Sequence, residues 1–249
     1  MSGHSKWAKV KRYKGALDQK RGQVFSRLSK EIQLAAKSGG DPDTNLKLRT
    51  ILLKAKEVSM PADTVKRAIN KGTGVEAAAA LEEVVYEGYG PSGVALLVEA
   101  LTDNRNRTAA DIRSIFSKHG GNMAESGSVS FLFDKKGQIL VKKEAIGEDD
   151  LMGLVLDAGA DDLKAEKGEV YEILTSPETF DQVKKALDDR KIAAENAEVT
   201  RIPKTTVVLD EKKAGSVLAL TDALEDYDDV INVHSNAEIS DEVMAKLER

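Results

Sequence analysis

Residues 138–201 read QILVKKEAIGEDDLMGLVLDAGADDLKAEKGEVYEILTSPETFDQVKKALDDRKIAAENAEVTR, and the order of elements in this stretch decides the fold class. Short apolar runs predict strands, and apolar residues at three-to-four spacing predict helices. The predicted strands are residues 138–141, 161–165, 170–174 and 193–201, and the predicted helices are residues 143–157 and 177–190. The order is therefore βαββαβ, which is typical of a ferredoxin-like domain.

The elements on either side of this stretch do not form a complete domain separately. The predicted strands there are residues 82–87, 94–101, 126–133 and 230–234, and the predicted helices are one that buries Ile112, Ile115 and Phe116 and one over residues 212–224. The ββαβ order before the stretch lacks a partner, and the helix and strand after it supply one. We therefore expect a split α+β domain, residues 78–135 plus 203–249, with residues 136–202 inserted into it.

The N-terminal part of the chain is helical in pattern. Val24, Leu28, Ile32 and Ala35 recur at helical spacing, a second helix is expected to start near residues 41–43, and a third after Ser59. Residues 1–77 are then a basic arm followed by a helical domain. The predicted fold class is α+β multidomain, in which an N-terminal three-helix domain precedes two α+β domains and the last is ferredoxin-like and inserted into the middle one.

The arm at residues 3–14 reads GHSKWAKVKRYK and has five cationic side chains, no acid, and the only tryptophan of the chain. Burying five unpaired cations costs more than one indole returns, so the arm needs an anionic partner. Cations meet phosphates and an indole can stack on an exposed base, which indicates a nucleic acid. The predicted contacts here are Lys6, Trp7, Lys9, Lys11, Arg12, Lys14, Lys20, Arg21, Arg27 and Lys30.

The net charge of −5 conceals a strong asymmetry. Residues 1–72 contain 17 Lys and Arg against 6 Asp and Glu, whereas the remainder contains 20 against 36, giving +11 and −16. A basic head on an acidic body suggests a molecule that approaches a polyanion by one end, while its acidic domains meet a protein partner. The alternative is that the two halves attract and dock on each other.

Two further groups of cations are candidates for nucleic-acid contact. The third helix has Lys66, Arg67 and Lys71 with Asn70 on its outer side, which fits either a recognition helix or a face that contacts phosphates. The helix that follows residues 103–104 begins beside Arg105 and Arg107, which are candidates for a phosphate contact. The alternative for this second group is simple capping by Asp103 or Asn104.

Several kinds of function are disfavoured by what the sequence lacks. The chain has no cysteine, and its three histidines have no metal-ligand spacing. The GYGPSG run at residues 88–93 has the spacing of a dinucleotide fingerprint, but a β-rich run follows it and Pro91 fits a turn, so we interpret it as a hairpin. We expect no catalytic residue, metal or cofactor. Without an apolar run of about 18 residues or a signal peptide, we expect a cytoplasmic protein that has no membrane partner.

The arm GHSKWAKVKRYK, the run KRGQVFSRLSKEI, the loops GYGPSG and TDNRNRT, the segment HGGNMAESGSVSFLF and the C-terminal DDVINVHSN together resemble the YebC family. The resemblance implies a helical domain with two α+β domains and the function of a probable transcriptional regulator that binds promoter DNA. More distantly the chain is similar to a mitochondrial translational activator, and some members of the family are linked to ribosomes at proline-rich peptides. Ile231 and His234 depart from the family's more usual glutamine and aromatic residue.

The function that we expect is a non-enzymatic, nucleic-acid-binding regulator of gene expression, a DNA-binding regulator of transcription. The runner-up is a ribosome-associated translation factor that binds ribosomal RNA, where unpaired bases are available for Trp7 to stack on. A third alternative is a hydrolase with a cleft between the acidic domains.

Overall fold

The structure is a computed structural model that describes residues 21–77, 79–165 and 168–247. The helices are α1 (Arg21–Ala36), α2 (Leu46–Glu57), α3 (Ala62–Gly72), α4 (Arg105–Lys118), α5 (Glu148–Asp157), α6 (Phe180–Asp189), α7 (Glu211–Glu225) and α8 (Asp241–Leu247). The strands are β1 (Glu82–Tyr89), β2 (Ala95–Thr102), β3 (Asn122–Ala124), β4 (Phe133–Lys142), β5 (Ala160–Lys164), β6 (Val170–Thr175), β7 (Ala194–Pro203), β8 (Val207–Val208), β9 (Val230–Ser235) and β10 (Ala237–Glu238).

The helical domain contains α1, α2 and α3 around an aliphatic core. Ile32 and Leu48 are fully buried in it. The second helix begins at Leu46, a few residues later than predicted from the acids and the proline. Asn45 is the reason: its side chain accepts a hydrogen bond from Leu48 N (3.0 Å) and donates to Ala35 O (2.9 Å) and Gly39 O (2.7 Å). A buried amide with this many partners fixes the N-cap at Asn45, so the residues before it form a turn.

The first sheet has the strand order β3-β1-β2-β9, so the C-terminal strand β9 joins strands from the first half of the chain. Its core lies between the sheet and the helices α4 and α7, with Val98, Ile112, Phe116 and Leu220 fully buried. β1 and β2 are antiparallel neighbours, which confirms the hairpin prediction for the GYGPSG run.

The predicted strand at residues 126–133 is wrong. The edge strand β3 is short and lies earlier, and it is followed by a turn and a 3-10 helix at Ser130–Leu132. The cause is the carboxylate of Glu87, which accepts hydrogen bonds from the backbone N–H groups of Gly127, Val129 and Ser130. Because these donors converge on one side chain, they are not available to a neighbouring strand.

The second sheet has the order β5-β6-β4-β7, and every neighbouring pair is antiparallel. With α5 and α6 packed on one face, this is the ferredoxin-like arrangement that residues 138–201 predict. Ile139, Ile173, Leu151 and Leu187 are fully buried between the sheet and its helices. The predicted fold class is therefore confirmed. A short parallel pair, β8 with β10, and α8 were not predicted.

Candidate nucleic-acid interface

Part of the predicted interface lies outside the described residues. Lys6, Trp7, Lys9, Lys11, Arg12, Lys14 and Lys20 precede the first described position, and the side chain of Arg21 is not described either. The predicted residues that the structure does place are Arg27, Lys30, Lys66, Arg67, Lys71, Arg105 and Arg107. They fall into three groups, on α3, on α1 and at the start of α4.

The outer face of α3 is an exposed cationic surface. Lys66, Arg67 and Lys71 are all exposed, and no ion pair involves them among residues 21–77, 79–165 and 168–247. Arg67 Nε donates to Asp63 O one turn earlier (3.4 Å), which still leaves its guanidinium in solvent. The amide of Asn70 donates instead to Glu76 Oε1 (3.1 Å) within its own domain. The arrangement resembles a face that contacts phosphates more than a helix that reads base edges, since the residue suited to adenine is already engaged.

The cations of α1 lie on a helix that faces the rest of the protein. Lys30 Nζ contacts Asp229 Oδ1 at 2.6 Å and donates to Asp228 O at 3.0 Å. Arg27 is half-buried, and its Nε atom is buried with no hydrogen-bond partner in the part of the chain that the structure describes. On the same helix, burial raises the pKa of Glu31, although Lys54 and Lys47 oppose the shift. The predicted residues Arg27 and Lys30 are thus partly covered, unlike those on α3.

The predicted residue Arg107 meets Lys30 at one carboxylate. Arg107 Nη2 contacts Asp229 Oδ2 at 2.9 Å and Asp103 Oδ1 at 2.9 Å. Asp229 Oδ2 also accepts hydrogen bonds from Thr108 Oγ1 (2.7 Å) and Thr102 Oγ1 (3.2 Å). Since the Asp229 side chain is only 7% exposed, its carboxylate is a nearly buried anion that joins α1 to the first sheet.

The surroundings of Asp229 fix its charge. Burial by itself raises the pKa of a carboxyl, but hydrogen bonds from Lys30, Thr108 and Arg107 outweigh burial and hold the pKa of Asp229 well below its ordinary value. The hydrogen bond to Asp229 raises the pKa of Arg107 in return. Burial and a hydrogen bond to Asp111 raise the pKa of the neighbouring Tyr227 to about 12. Asp229 is therefore ionised at neutral pH.

The start of α4 supports the capping alternative more than a free anion site. Asn104 is the N-cap and accepts a hydrogen bond from Arg107 N at 3.1 Å. Arg105 is exposed, and its carbonyl accepts a hydrogen bond from Tyr86 OH at 3.2 Å. Both arginines are exposed, but the Arg107 guanidinium contacts Asp103 and Asp229, and a phosphate contact at this point stays a prediction.

Comparison with known proteins identifies relatives over nearly the whole chain. A family model described as "TACO1/YebC protein N-terminal domain" matches residues 5–75, and one described as "TACO1/YebC second and third domain" matches residues 81–237. The chain belongs to the YebC family. A "Probable transcriptional regulatory protein" of Acidobacterium capsulatum is 54% identical over 95% of this chain and 96% of its own length. A protein of the same name from Syntrophobacter fumaroxidans is 52% identical over 99% of this chain and 100% of its own.

A solved structure supports the same assignment of this YebC-family chain. The crystal structure of a conserved hypothetical protein, Aq1575 from Aquifex aeolicus, matches with a TM-score of 0.79 and 43% identity. The match covers 90% of this chain and 93% of that one. The α+β multidomain fold is thus common to both members.

A second polar junction in this YebC-family protein joins the two sheets. Glu99 on β2 accepts from Arg201 Nε on β7 (2.9 Å) and from Asn232 Nδ2 on β9 (3.2 Å), and it lies 3.4 Å from His234 Nε2. Burial acts to raise the pKa of Glu99, but its contacts with His234, Arg201 and Asn232 lower it to about 2. The sequence departure at His234 therefore lies where the two α+β parts meet.

Sequence reasoning missed Asp229 and Glu99 as organising residues of this YebC-family chain. Asp229 belongs to an acid cluster, residues 226–229, that looks like an ordinary solvated turn. The signal that separates it from Asp226 and Asp228 is its place directly before the apolar strand β9, because that position is covered by the sheet.

In residues 21–77, 79–165 and 168–247, no three histidine, aspartate or glutamate side chains converge as a metal would require. No helix in the same ranges has both the length and the apolar character of a membrane span.

Proposed function

We propose that this protein is a non-enzymatic regulator of gene expression that acts by binding nucleic acid, as a DNA-binding regulator of transcription. The observation that carries the proposal is the exposed face of α3, where Lys66, Arg67 and Lys71 have no ion pair within the described residues. Three exposed cations on one short helix suit an external polyanion, because together they can neutralise neighbouring phosphates and release counterions. The names of the two bacterial relatives support a role in transcription.

The division of labour follows the charge asymmetry. The basic segment, residues 1–77, contacts the nucleic acid, and the acidic part, residues 78–135 plus 203–249 with the inserted residues 136–202, faces away and meets a protein partner. The protein works in the cytoplasm. Binding to phosphates alone accounts for the features of the α3 face.

The test is a salt titration of nucleic-acid affinity. Neutralising the α3 face with Lys66→Gln, Arg67→Gln and Lys71→Gln should weaken binding to duplexes of any sequence alike and reduce the slope of log affinity against log salt by about 3. The matched control neutralises three exposed cations of the acidic part, Lys118→Gln, Lys191→Gln and Lys212→Gln. If the control weakens binding as much as the α3 variant, net charge and not this face is responsible, and the proposal fails.

A ribosome-associated translation factor is the second candidate, and the observation that favours it is Trp7. This indole stands among five cations at residues 3–14, and a base must be unpaired before an indole can stack on it. Trp7→Ala should cost about 1–3 kcal/mol of binding to looped or single-stranded RNA and much less to a duplex. Equal losses on both polymers would contradict the stacking role and favour packing of the indole against the protein.

A further inference from the structure

The helical domain is held on the first sheet and its connections by a stripe of polar side chains on α1. Gln23 Nε2 donates to Asp226 O (3.3 Å), Lys30 Nζ to Asp228 O (3.0 Å) and Lys37 Nζ to Leu81 O (2.9 Å). Gln23 and Lys30 are spaced by seven residues, or two helical turns, so they share one face of α1, and Lys37 follows at the same spacing directly after the helix ends at Ala36. Gln33 adds a contact from the same helix to Ala79 O at 3.3 Å. Most of these contacts end on backbone carbonyls.

This junction lacks an apolar core. The buried cluster of the helical domain around Ile32 and Leu48 shares no residue with the cluster between the first sheet and α7, within the described part of the chain. Two atoms on α1, Gln23 Oε1 and Arg27 Nε, are buried and have no hydrogen-bond partner among the described residues. Polar and incompletely satisfied contacts of this kind are typical of domains that move relative to each other.

Of the two residues in the Lys30–Asp229 contact, Lys30 is the one that can move away. Asp229 is fixed to the first sheet, because Leu101 N donates to its carbonyl (2.7 Å) and because Thr108 and Arg107 bind its carboxylate. Lys30 instead reaches across from α1 on a flexible side chain and contacts the carboxylate at 2.6 Å. A backbone phosphate presents the same kind of anionic oxygen as a carboxylate, so both form charge-assisted hydrogen bonds with an ammonium group.

We propose that this face of α1 is a covered nucleic-acid-binding surface, in which Asp229 occupies in the free protein the position that a backbone phosphate takes at Lys30 in the complex. A polyanion that binds Arg27, Lys30 and Lys37 then detaches the helical domain from the first sheet. The inference rests on the proposed function, since it assigns a second part of the surface to the same ligand. Because the two anions compete for one ammonium group, weakening the contact with Asp229 must strengthen binding of the phosphate.

The first experiment measures the position of the helical domain without any ligand. The chain has no cysteine, so spin labels can be attached to Lys56→Cys on α2 and Lys212→Cys on α7, both of which are exposed. Double electron–electron resonance should give a narrow distance distribution in the parent chain and a broad one with Asp229→Asn or Lys30→Gln. Lys30→Gln leaves the contacts of Asp229 within the first sheet intact, so it separates detachment from local unfolding. Distance distributions that stay narrow in both variants would refute the proposal that the Lys30–Asp229 contact holds the helical domain on the first sheet.

The second experiment measures affinity for a polyuridylate strand and for a duplex of mixed sequence at low salt. Asp229→Asn should bind roughly two- to fivefold more tightly than the parent, the range that corresponds to releasing one partly exposed ion pair. This gain should disappear when Lys30→Gln is also present. The control is Asp228→Asn, since the Asp228 side chain is exposed and only its backbone carbonyl meets Lys30, and it should change neither the distance nor the affinity.

The two proposals fail in different ways. A parent chain that binds neither polymer refutes the proposed function and this surface together. Alternatively, the parent chain binds, while Asp229→Asn gives a broad distance distribution without a gain in affinity. This result refutes the covered surface alone and leaves the α3 face as the interface. A gain in affinity that persists in the Lys30→Gln background also refutes it, because the gain then comes from general loss of negative charge.

Discussion

Glu87 holds the loop after β3 in place, and its replacement is a sharp test of how this fold is built. Its carboxylate is 4% exposed and accepts hydrogen bonds from Gly127 N (2.8 Å), Val129 N (2.6 Å) and Ser130 N (2.9 Å). Burial acts to raise the pKa of Glu87, but the three backbone N–H groups outweigh it and lower the pKa below its ordinary value. The carboxylate therefore replaces the neighbouring strand that these donors would otherwise need.

Glu87→Gln removes the charge and one acceptor oxygen while keeping the size of the side chain. The single amide oxygen can serve two of the three donors, so at least one N–H group is left without a partner beside an NH₂ group. Hydrogen bonds to a charged group are worth about 1.5–3 kcal/mol, and an unpaired buried donor costs about 1–3 kcal/mol. We therefore expect the free energy of unfolding of this loop to fall by about 2–4 kcal/mol. The loss should be local to the loop at residues 125–133.

Hydrogen exchange measured by mass spectrometry on a peptide covering residues 125–133 is the direct assay, with urea unfolding as the global one. A lowered folded pKa means that the stabilisation is complete above the unfolded value of about 4.3 and is lost as the pH falls through the folded value. The difference between parent and variant should thus be full at neutral pH and shrink in acid. Glu82→Gln, an exposed acid on the same strand, is the control. Unchanged protection of the loop in Glu87→Gln would refute the reasoning.

Three other substitutions have defined outcomes. Asn45→Ala removes the cap of α2 and two further hydrogen bonds, to Ala35 O and Gly39 O, and should lower the free energy of unfolding of the helical domain by about 2 kcal/mol in urea titrations, whereas an effect below about 0.5 kcal/mol would contradict the role of the cap. Gly88→Ala places a Cβ 2.7 Å from the ring of Phe116 and 2.8 Å from Asn122 O, and should cost about 1–3 kcal/mol by thermal unfolding, while Gly153→Ala on α5, where nothing lies within 4 Å, should be neutral or stabilising. Lys9→Gln in the arm should reduce the salt slope of nucleic-acid binding by about 1, and a slope that does not change would remove Lys9 from the interface.

The regular parts of the fold were predictable because their patterns are local. The βαββαβ order follows from apolar runs whose spacing repeats every two or every three to four residues, and all six elements are present within a few residues of their expected bounds. The sequence also predicted that the C-terminal helix and strand supply a partner to the ββαβ unit, and β9 does join the first sheet, beside β2. Hydrophobic periodicity was thus sufficient to predict the order of helices and strands in these parts of the fold.

The departures came from side chains that satisfy distant backbone groups. The loop at residues 126–133 has the apolar content of a strand, and only Glu87, about forty residues earlier in the chain, prevents it from being one. Asn45 moves the start of α2 in the same way, because it bonds to the end of α1. No window of a sequence contains both partners of such a contact, so spacing rules do not detect it.

The cations of the candidate interface also differ in ways that the sequence does not show, and this difference bears on the two interpretations of the charge asymmetry. Counting charges treats Lys30 and Lys66 as equivalent members of a basic head, yet Lys30 is 22% exposed beside Asp229 whereas Lys66 is exposed with no ion pair among the described residues. Attraction between the basic and acidic halves is therefore seen at Lys30 on α1, whereas Lys66 on α3 is available to an external polyanion. Because the acidic part binds Lys30 and leaves the cations of α3 open, the proposed interface has two sets of cations, one exposed on α3 and one covered on α1. In the covered-surface proposal, competition between a backbone phosphate and Asp229 for Lys30 links binding to the position of the helical domain.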